Sequence, residues 1–237
     1  RLIPPNHEIE MPEIGPPQGG WPGKTAIVAV IDDGIAFAHE RFRMADGTSR
    51  IACFWNMDGQ SNPPPPTVPF GREILKSEID ATLAASTTPA GIDEDAVYRA
   101  TGMLDFTRPE HKAIAWRLAH GTHVLDIAAG ARPSKNVADR PIIAVQLPAA
   151  TTANTSGSEL APVLLHALSY IHSRAALLSG NGPRLPVVLN FSYGFAIGPH
   201  DGSSLLDAAL NLSIDETFRV VLPAGNDNLL RTHARIL

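Results

Sequence analysis

The sequence predicts an α/β fold: a doubly wound, mostly parallel sheet with helices on both faces. Short, uninterrupted apolar runs recur along the chain and read as strands buried on both sides. Amphipathic stretches lie between them, so strand and helix alternate. No two strand runs meet across a tight Asn-Gly-type turn, so no β-hairpin is expected.

Composition narrows the class. The 237 residues are 44% hydrophobic and 18% charged, enough for a sizeable core and unlike a disordered chain or a coiled coil. A net charge of −5 leaves no basic stripe, so nucleic acid is not an expected partner. No apolar run reaches the length of a membrane span, so a membrane is not expected either. Cys53 stands alone, which excludes an intramolecular disulfide, and Ile51-Ala52-Cys53-Phe54-Trp55 reads as a strand with a buried structural thiol. The chain begins at Arg1 with neither an initiator methionine nor a signal peptide. A processed or truncated product is therefore expected, and the compartment, secreted or cytoplasmic, stays open.

Residues 1–23 are rich in Pro and Gly and read as an extended leader or linker. Residues 24–237 then form one domain. Thr25 to Ile31 is the first strand, ending in Asp32-Asp33-Gly34, a polar turn at the sheet edge where open α/β sheets place their ligand sites. Ile51 to Trp55 is the second. Asn56 to Pro69, with Pro63 to Pro66 consecutive, is a stiff loop. Glu73 to Leu83 has helical spacing, and Pro109 to Leu118 a second such pattern with Pro109 in the first turn. Asp93-Glu94-Asp95 reads as a short charged loop.

His120 to Gly130 is a helix with an imidazole in its first turn and a second, His123, three residues on. Ile142 to Leu147 is the third strand and Thr151 to Ser158 a flexible loop. The helix behind Ser158 shows Leu160, Leu164, Ala167, Leu168 and Ile171 on one face, leaving His166, Tyr170 and His172 for the polar side. Pro186 to Ser192 is the fourth strand, Ser204 to Phe218 a helix, and Arg219 to Leu222 the fifth strand, running into Pro223-Ala224-Gly225-Asn226.

In a parallel sheet the polar groups at the strand ends converge on one edge. Asp32, His120, Ser192-Tyr193-Gly194 and Gly225-Asn226 would meet there. A carboxylate orienting an imidazole, beside a side-chain amide able to donate to an oxyanion, supplies three of the parts that acyl transfer needs. A zinc site built on His120 and His123 is the competing reading, but it has neither a His-Glu-x-x-His pattern nor a third ligand. Nucleotide binding is disfavoured because no Gly-x-Gly-x-x-Gly or P-loop follows any strand.

Four of these stretches resemble the motifs of the subtilases, the subtilisin-like serine proteases of peptidase family S8. Val30-Ile31-Asp32-Asp33-Gly34 is similar to their aspartate motif and His120-Gly121-Thr122-His123-Val124 to their histidine motif. Leu189-Asn190-Phe191-Ser192-Tyr193-Gly194 is similar to their substrate-binding strand. Pro223-Ala224-Gly225-Asn226 is similar to the segment that carries their oxyanion asparagine. The order is the family's own, and the resemblance covers Lys24 to about Leu230. Asn56 to Arg117 matches nothing in it and reads as a variable insertion.

The resemblance implies a serine endopeptidase. Asp32 would orient His120, His120 would act as general base and then general acid, and Asn226 would donate to the oxyanion. Ser192, Tyr193 and Gly194 would pair with an extended peptide substrate, and Ala224 and Gly225 would line the pocket for the residue before the scissile bond. His123 would pack behind His120. No cofactor is required. Subtilases often bind calcium as a structural ion, but no ligand spacing here fixes one.

Two departures accompany the match. Leu125-Asp126 stands where Ala-Gly is usual, and Asp33 puts a second carboxylate beside Asp32. More consequential, no serine sits in the family's Gly-Thr-Ser-x-Ala-x-Pro motif. Ser156 and Ser158 precede a helix, and Ser192 belongs to the substrate strand. The expectation is thus a peptidase domain incomplete at its C-terminus and inactive alone, associating with the remainder of the same protein or with a second copy. The alternative is a catalytically incomplete module that binds peptides or protein partners.

Overall fold

Ile27–Asp32 (β1) lies inside a six-stranded sheet, which is why its apolar run is uninterrupted. The structure is a computed structural model that describes residues 26–60, 66–107, 119–133, 135, 140–153, 159–194, 199 and 201–225. In chain order β1 is followed by β2 (Ile51–Asn56), β3 (Arg72–Leu75), α1 (Lys76–Ala85), β4 (Thr87–Thr88), β5 (Gly91–Ile92), α2 (Glu94–Ala100) and α3 (His120–Ala129). Then come β6 (Ile142–Gln146), α4 (Ala149–Ala153), α5 (Leu160–Ser179), β7 (Val187–Phe191), α6 (Leu205–Ser213) and β8 (Phe218–Val221).

The sheet order is β3-β2-β6-β1-β7-β8. Every pairing is parallel except β2 with β3, so the mostly parallel, helix-covered sheet is the observed fold. Side chains alternate between two cores. Ile27, Ala29 and Ile31 of β1 pack with Leu164, Leu168 and Ile171 of α5 and with Leu206 and Leu210 of α6. Val30 faces the other way, toward Ile79 and Leu83 of α1, Val97 and Tyr98 of α2 and Leu125 of α3. The chain leaves β1 toward β2 and returns by β6, then crosses to β7 on the opposite side of β1. Open α/β sheets place their ligand sites at such a reversal, outside the strands' C-terminal ends, and Asp32 sits at that end of β1.

Several elements differ from those the sequence predicts. The stretch from Glu73 begins as β3, and the helix starts only at Lys76. Glu73 is fully buried because Arg174 of α5 meets it at 2.7 and 2.9 Å and the Tyr170 hydroxyl donates to it at 2.8 Å. Tyr170 is accordingly buried and not on a polar face. The Asp93-Glu94-Asp95 stretch is the start of α2: Asp93 accepts from the Ala96 amide, and the two acids sit at the positive end of the helix dipole. A hairpin exists after all, β4 with β5 across Pro89-Ala90.

The loop expected from Thr151 begins inside α4, whose first amide, that of Ala149, is capped by the Asp58 carboxylate at 2.7 Å. The helix opened by Ser204, which forms a reciprocal capping box with Asp207, stops at Ser213. There Asp215 accepts from the Thr217 amide and hydroxyl, turning the chain so that Phe218 enters β8.

Cys53 and Trp55 are fully buried in β2, and burial pushes the Cys53 thiol up, away from any thiolate chemistry. The leader, the Pro63 to Pro65 stretch, the Pro109 to Leu118 pattern, Ser156, Ser158 and Asn226 lie outside the described residues. No helix among the described residues is long and apolar enough to cross a membrane.

Candidate active site

Asp32 ends β1 almost fully buried, at 6% exposure. Its Oδ1 accepts from the Asp33 amide at 2.7 Å and lies 2.8 Å from Nδ1 of His120. A carboxylate in that position selects the tautomer with the proton on Nδ1, which leaves Nε2 as the basic nitrogen. The His120 side chain is 67% exposed, so that second nitrogen has access to a reactant. Asp32 Oδ2 is also buried and has no hydrogen-bond partner among the described residues. Burial therefore raises the Asp32 pKa above the ordinary 3.8, against the lowering effect of the bonds from His120 and the Asp33 amide; the Asp33 charge adds a small further rise.

The residues after His120 explain how α3 reaches this carboxylate. The Gly121 amide donates to the Asp33 carbonyl at 2.7 Å. A Cβ on Gly121 would lie 2.5 Å from that oxygen and 2.9 Å from Asp32 Cβ, so only glycine allows the approach. Thr122 then clamps the turn: its hydroxyl donates to the Gly34 carbonyl and accepts from the Ala36 amide, both at 2.7 Å. Gly34 itself holds φ at +68°, a conformation that favours glycine. Downstream on α3, Asp126 pairs with Arg41 at 2.7 Å, and Arg50 donates to the Ala129 carbonyl at the helix's negative end.

His123 is exposed and does not pack behind His120. Gly121 and Leu125, four residues apart, define the buried stripe of α3, and His123 falls between them on the opposite side. Nor does a metal centre take shape: among the described residues no three His, Cys, Asp or Glu side chains are grouped to hold an ion.

The two candidate substrate segments come together. Ser192 to Gly194 leave β7 and Ala224-Gly225 follow β8, adjacent strands in register at Asn190 and Val221. A Cβ on Gly194 would sit 4.0 Å from the Gly225 Cα, so the segments run side by side. Asn190 donates to the Ser192 hydroxyl at 2.8 Å, and the Tyr193 ring lies nearly parallel to Phe191. Gly194, Ala224 and Gly225 are exposed at this edge.

Three contributors were not foreseen. Gln146, fully buried opposite Asp32 in the β1–β6 register, accepts from the Ile35 amide at 3.0 Å and braces the turn behind the carboxylate. Its signal was a polar residue closing an apolar strand. Thr122 had one in its place beside Gly121. Thr152 of α4, which donates to Asp33 Oδ2 at 3.0 Å, had none. The chain's single Gly-Thr-Ser tripeptide, Gly47-Thr48-Ser49, is not a nucleophile site. Ser49 is buried, its hydroxyl accepts from the Ile51 amide, and it precedes β2 at the opposite edge of the sheet from His120.

Comparison with known proteins gives the family and agrees with the fold. The profile described as the subtilase family, peptidase S8, matches residues 23–235. Among solved structures, the Clostridium perfringens CspB protease is similar with a TM-score of 0.58 and 22% sequence identity. That match takes in 85% of this chain and 36% of the CspB chain, so the present sequence spans little more than a third of that protein's length. No curated protein matches the chain.

Proposed function

The chain belongs to the subtilase family of serine peptidases, and we propose that it supplies the acid–base half of a serine endopeptidase. The observation that carries this reading is the 2.8 Å contact between the buried Asp32 carboxylate and His120 Nδ1, with the rest of the imidazole open. His120 takes the proton of a serine hydroxyl through Nε2 and later returns it to the leaving amine, while Asp32 stabilises the imidazolium. Asn226, which follows Gly225 directly, donates its amide to the oxyanion. The peptide lies along Ser192 to Gly194 as an added strand, with Ala224 and Gly225 beneath the residue before the scissile bond. No step draws on a cofactor.

The serine comes from a part of the protein that these 237 residues do not include. A second observation supports that. Val188 and Val221, on the sheet face that α5 and α6 do not cover, are 41% and 51% exposed, and Ile127 of α3 is 89% exposed. Apolar side chains so placed suit a further segment packed beside His120.

The test is labelling of the full-length protein by a serine-directed fluorophosphonate, with and without His120→Ala. Labelling and peptide hydrolysis in the parent, both lost in the variant, support the reading. A parent that neither labels nor hydrolyses, yet binds peptides, makes the domain a binding module instead.

A further inference from the structure

We propose that Asp33 is a positioning residue for the Asp32–His120 pair, with the Thr152 hydroxyl as the group that holds it in place; this rests on the peptidase reading above. Four separate bonds meet at this one residue. Its amide donates to Asp32 Oδ1 at 2.7 Å, and its carbonyl accepts from the Gly121 amide at 2.7 Å. Its carboxylate accepts from the Gly34 amide at 2.8 Å through Oδ1 and from Thr152 at 3.0 Å through Oδ2. The backbone of Asp33 thus touches Asp32 and Gly121, the residue that follows His120 in α3, and its side chain fixes that backbone.

Thr152 has three oxygens within reach of its hydroxyl: Asp33 Oδ2 at 3.0 Å, the Ala149 carbonyl at 3.2 Å and the Pro148 carbonyl at 3.4 Å. A single proton goes to the nearest and only charged acceptor. The Thr152 carbonyl in turn accepts from the Tyr193 hydroxyl at 3.4 Å, and Tyr193 belongs to the segment that would carry substrate. Asp33's charge adds to burial in raising the Tyr193 pKa, which places the phenol within the field of this carboxylate. One chain of contacts therefore runs from the substrate segment through Thr152 and Asp33 to the base. With both carboxylate oxygens engaged inside the protein, Asp33 acts through its neighbours and not on the peptide.

Displacements near 1 Å can cost a reaction about a hundredfold, so loss of the anchor has a measurable effect. In the full-length protein, Asp33→Ala and Thr152→Val lower kcat per fluorophosphonate-titrated site by about ten- to a hundredfold, with KM nearly unchanged. Thr152→Ser keeps the hydroxyl and Asp33→Asn keeps an acceptor for Gly34 and a partner for Thr152, so both restore most of kcat. A second readout does not need turnover: the downfield proton resonance of an Nδ1–H held by a carboxylate is present in the parent and Thr152→Ser and lost in Thr152→Val. Unchanged kcat per titrated site and an unchanged resonance in Thr152→Val overturn the proposal. So does a defect in KM confined to substrates bearing a cationic side chain, which would make Asp33 a substrate contact. A parent that is never labelled, but whose resonance disappears in Thr152→Val, sinks the peptidase reading and leaves the positioning role standing.

Discussion

Gly121 donates its amide to the carbonyl of Asp33 at 2.7 Å, and a Cβ on Gly121 would stand 2.5 Å from the same oxygen. Two effects compete when alanine is placed there. Helix propensity favours alanine by about 1 kcal/mol. The clash is with backbone and with Asp32 Cβ, which cannot swing aside, and overpacking of this kind costs about 1–3 kcal/mol. The clash wins. Gly121→Ala is expected to lower the denaturant midpoint and to abolish hydrolysis by the full-length protein, because α3 and His120 move away from Asp32. A variant with parental activity would show that the helix need not approach so closely.

Asp32 offers a trade of stability for function. Its native pKa is raised above 3.8, mainly by burial, so the fold favours the protonated acid. That advantage is complete below 3.8 and disappears as pH rises through the raised value, leaving an ionised, partly unpaired carboxylate at neutral pH. Asp32→Asn should therefore melt higher than the parent at pH 7, with the gap closing below 3.8. Activity should fall by about 10⁴-fold, the loss seen when the corresponding carboxylate of another serine protease is amidated. Thermal scans across pH, paired with kinetics at pH 7, check both halves.

Glu73 and Arg174 are expected to behave as a unit. Both side chains are within 3% of complete burial, and each is the other's main counter-ion. Arg174→Met strands a buried carboxylate and should cost about 3–5 kcal/mol, whereas the double change Glu73→Leu with Arg174→Met should recover most of it. Urea unfolding of the two singles and the double gives the coupling directly. Additive losses would mean the pair is not coupled.

Arg41 and Asp126 make the contrasting case. Their side chains are 33% and 39% exposed, so solvent screens the 2.7 Å contact. Asp126→Ala should cost under about 1 kcal/mol at low salt, and less in high salt. Melting temperatures at two ionic strengths decide it. A large, salt-independent loss would mark the pair as structural support for α3.

The strands were legible because burial on both faces leaves only apolar residues, as in Ile27 to Ile31 and Ile142 to Val145. Asp32 and the Ser192 to Gly194 segment were legible because polar residues interrupt such runs at their C-terminal ends, and His120 because it opens a helix of small and apolar residues. What stayed hidden depended on distant partners. Arg72-Glu73-Ile74-Leu75 looks like helix surface until Arg174, 101 residues away, neutralises Glu73. The buried place of Tyr170 has the same cause. Asp93 looked like a loop acid because a cap and a turn use the same residue types, and only the Ala96 amide tells them apart. His123 faces solvent because the phase of α3 follows Gly121 and Leu125, its buried residues, and not the position of His120.

Arg174 also constrains how this chain could have changed over time. Its counter-ion arrives on β3, 101 residues away in sequence. A descendant that discarded β3 would lose the Glu73 carboxylate that Arg174 meets at 2.7 and 2.9 Å, so the deletion is expected to go with a replacement at position 174. The presence of that strand and the identity of that one residue should therefore be inherited together across the lineage.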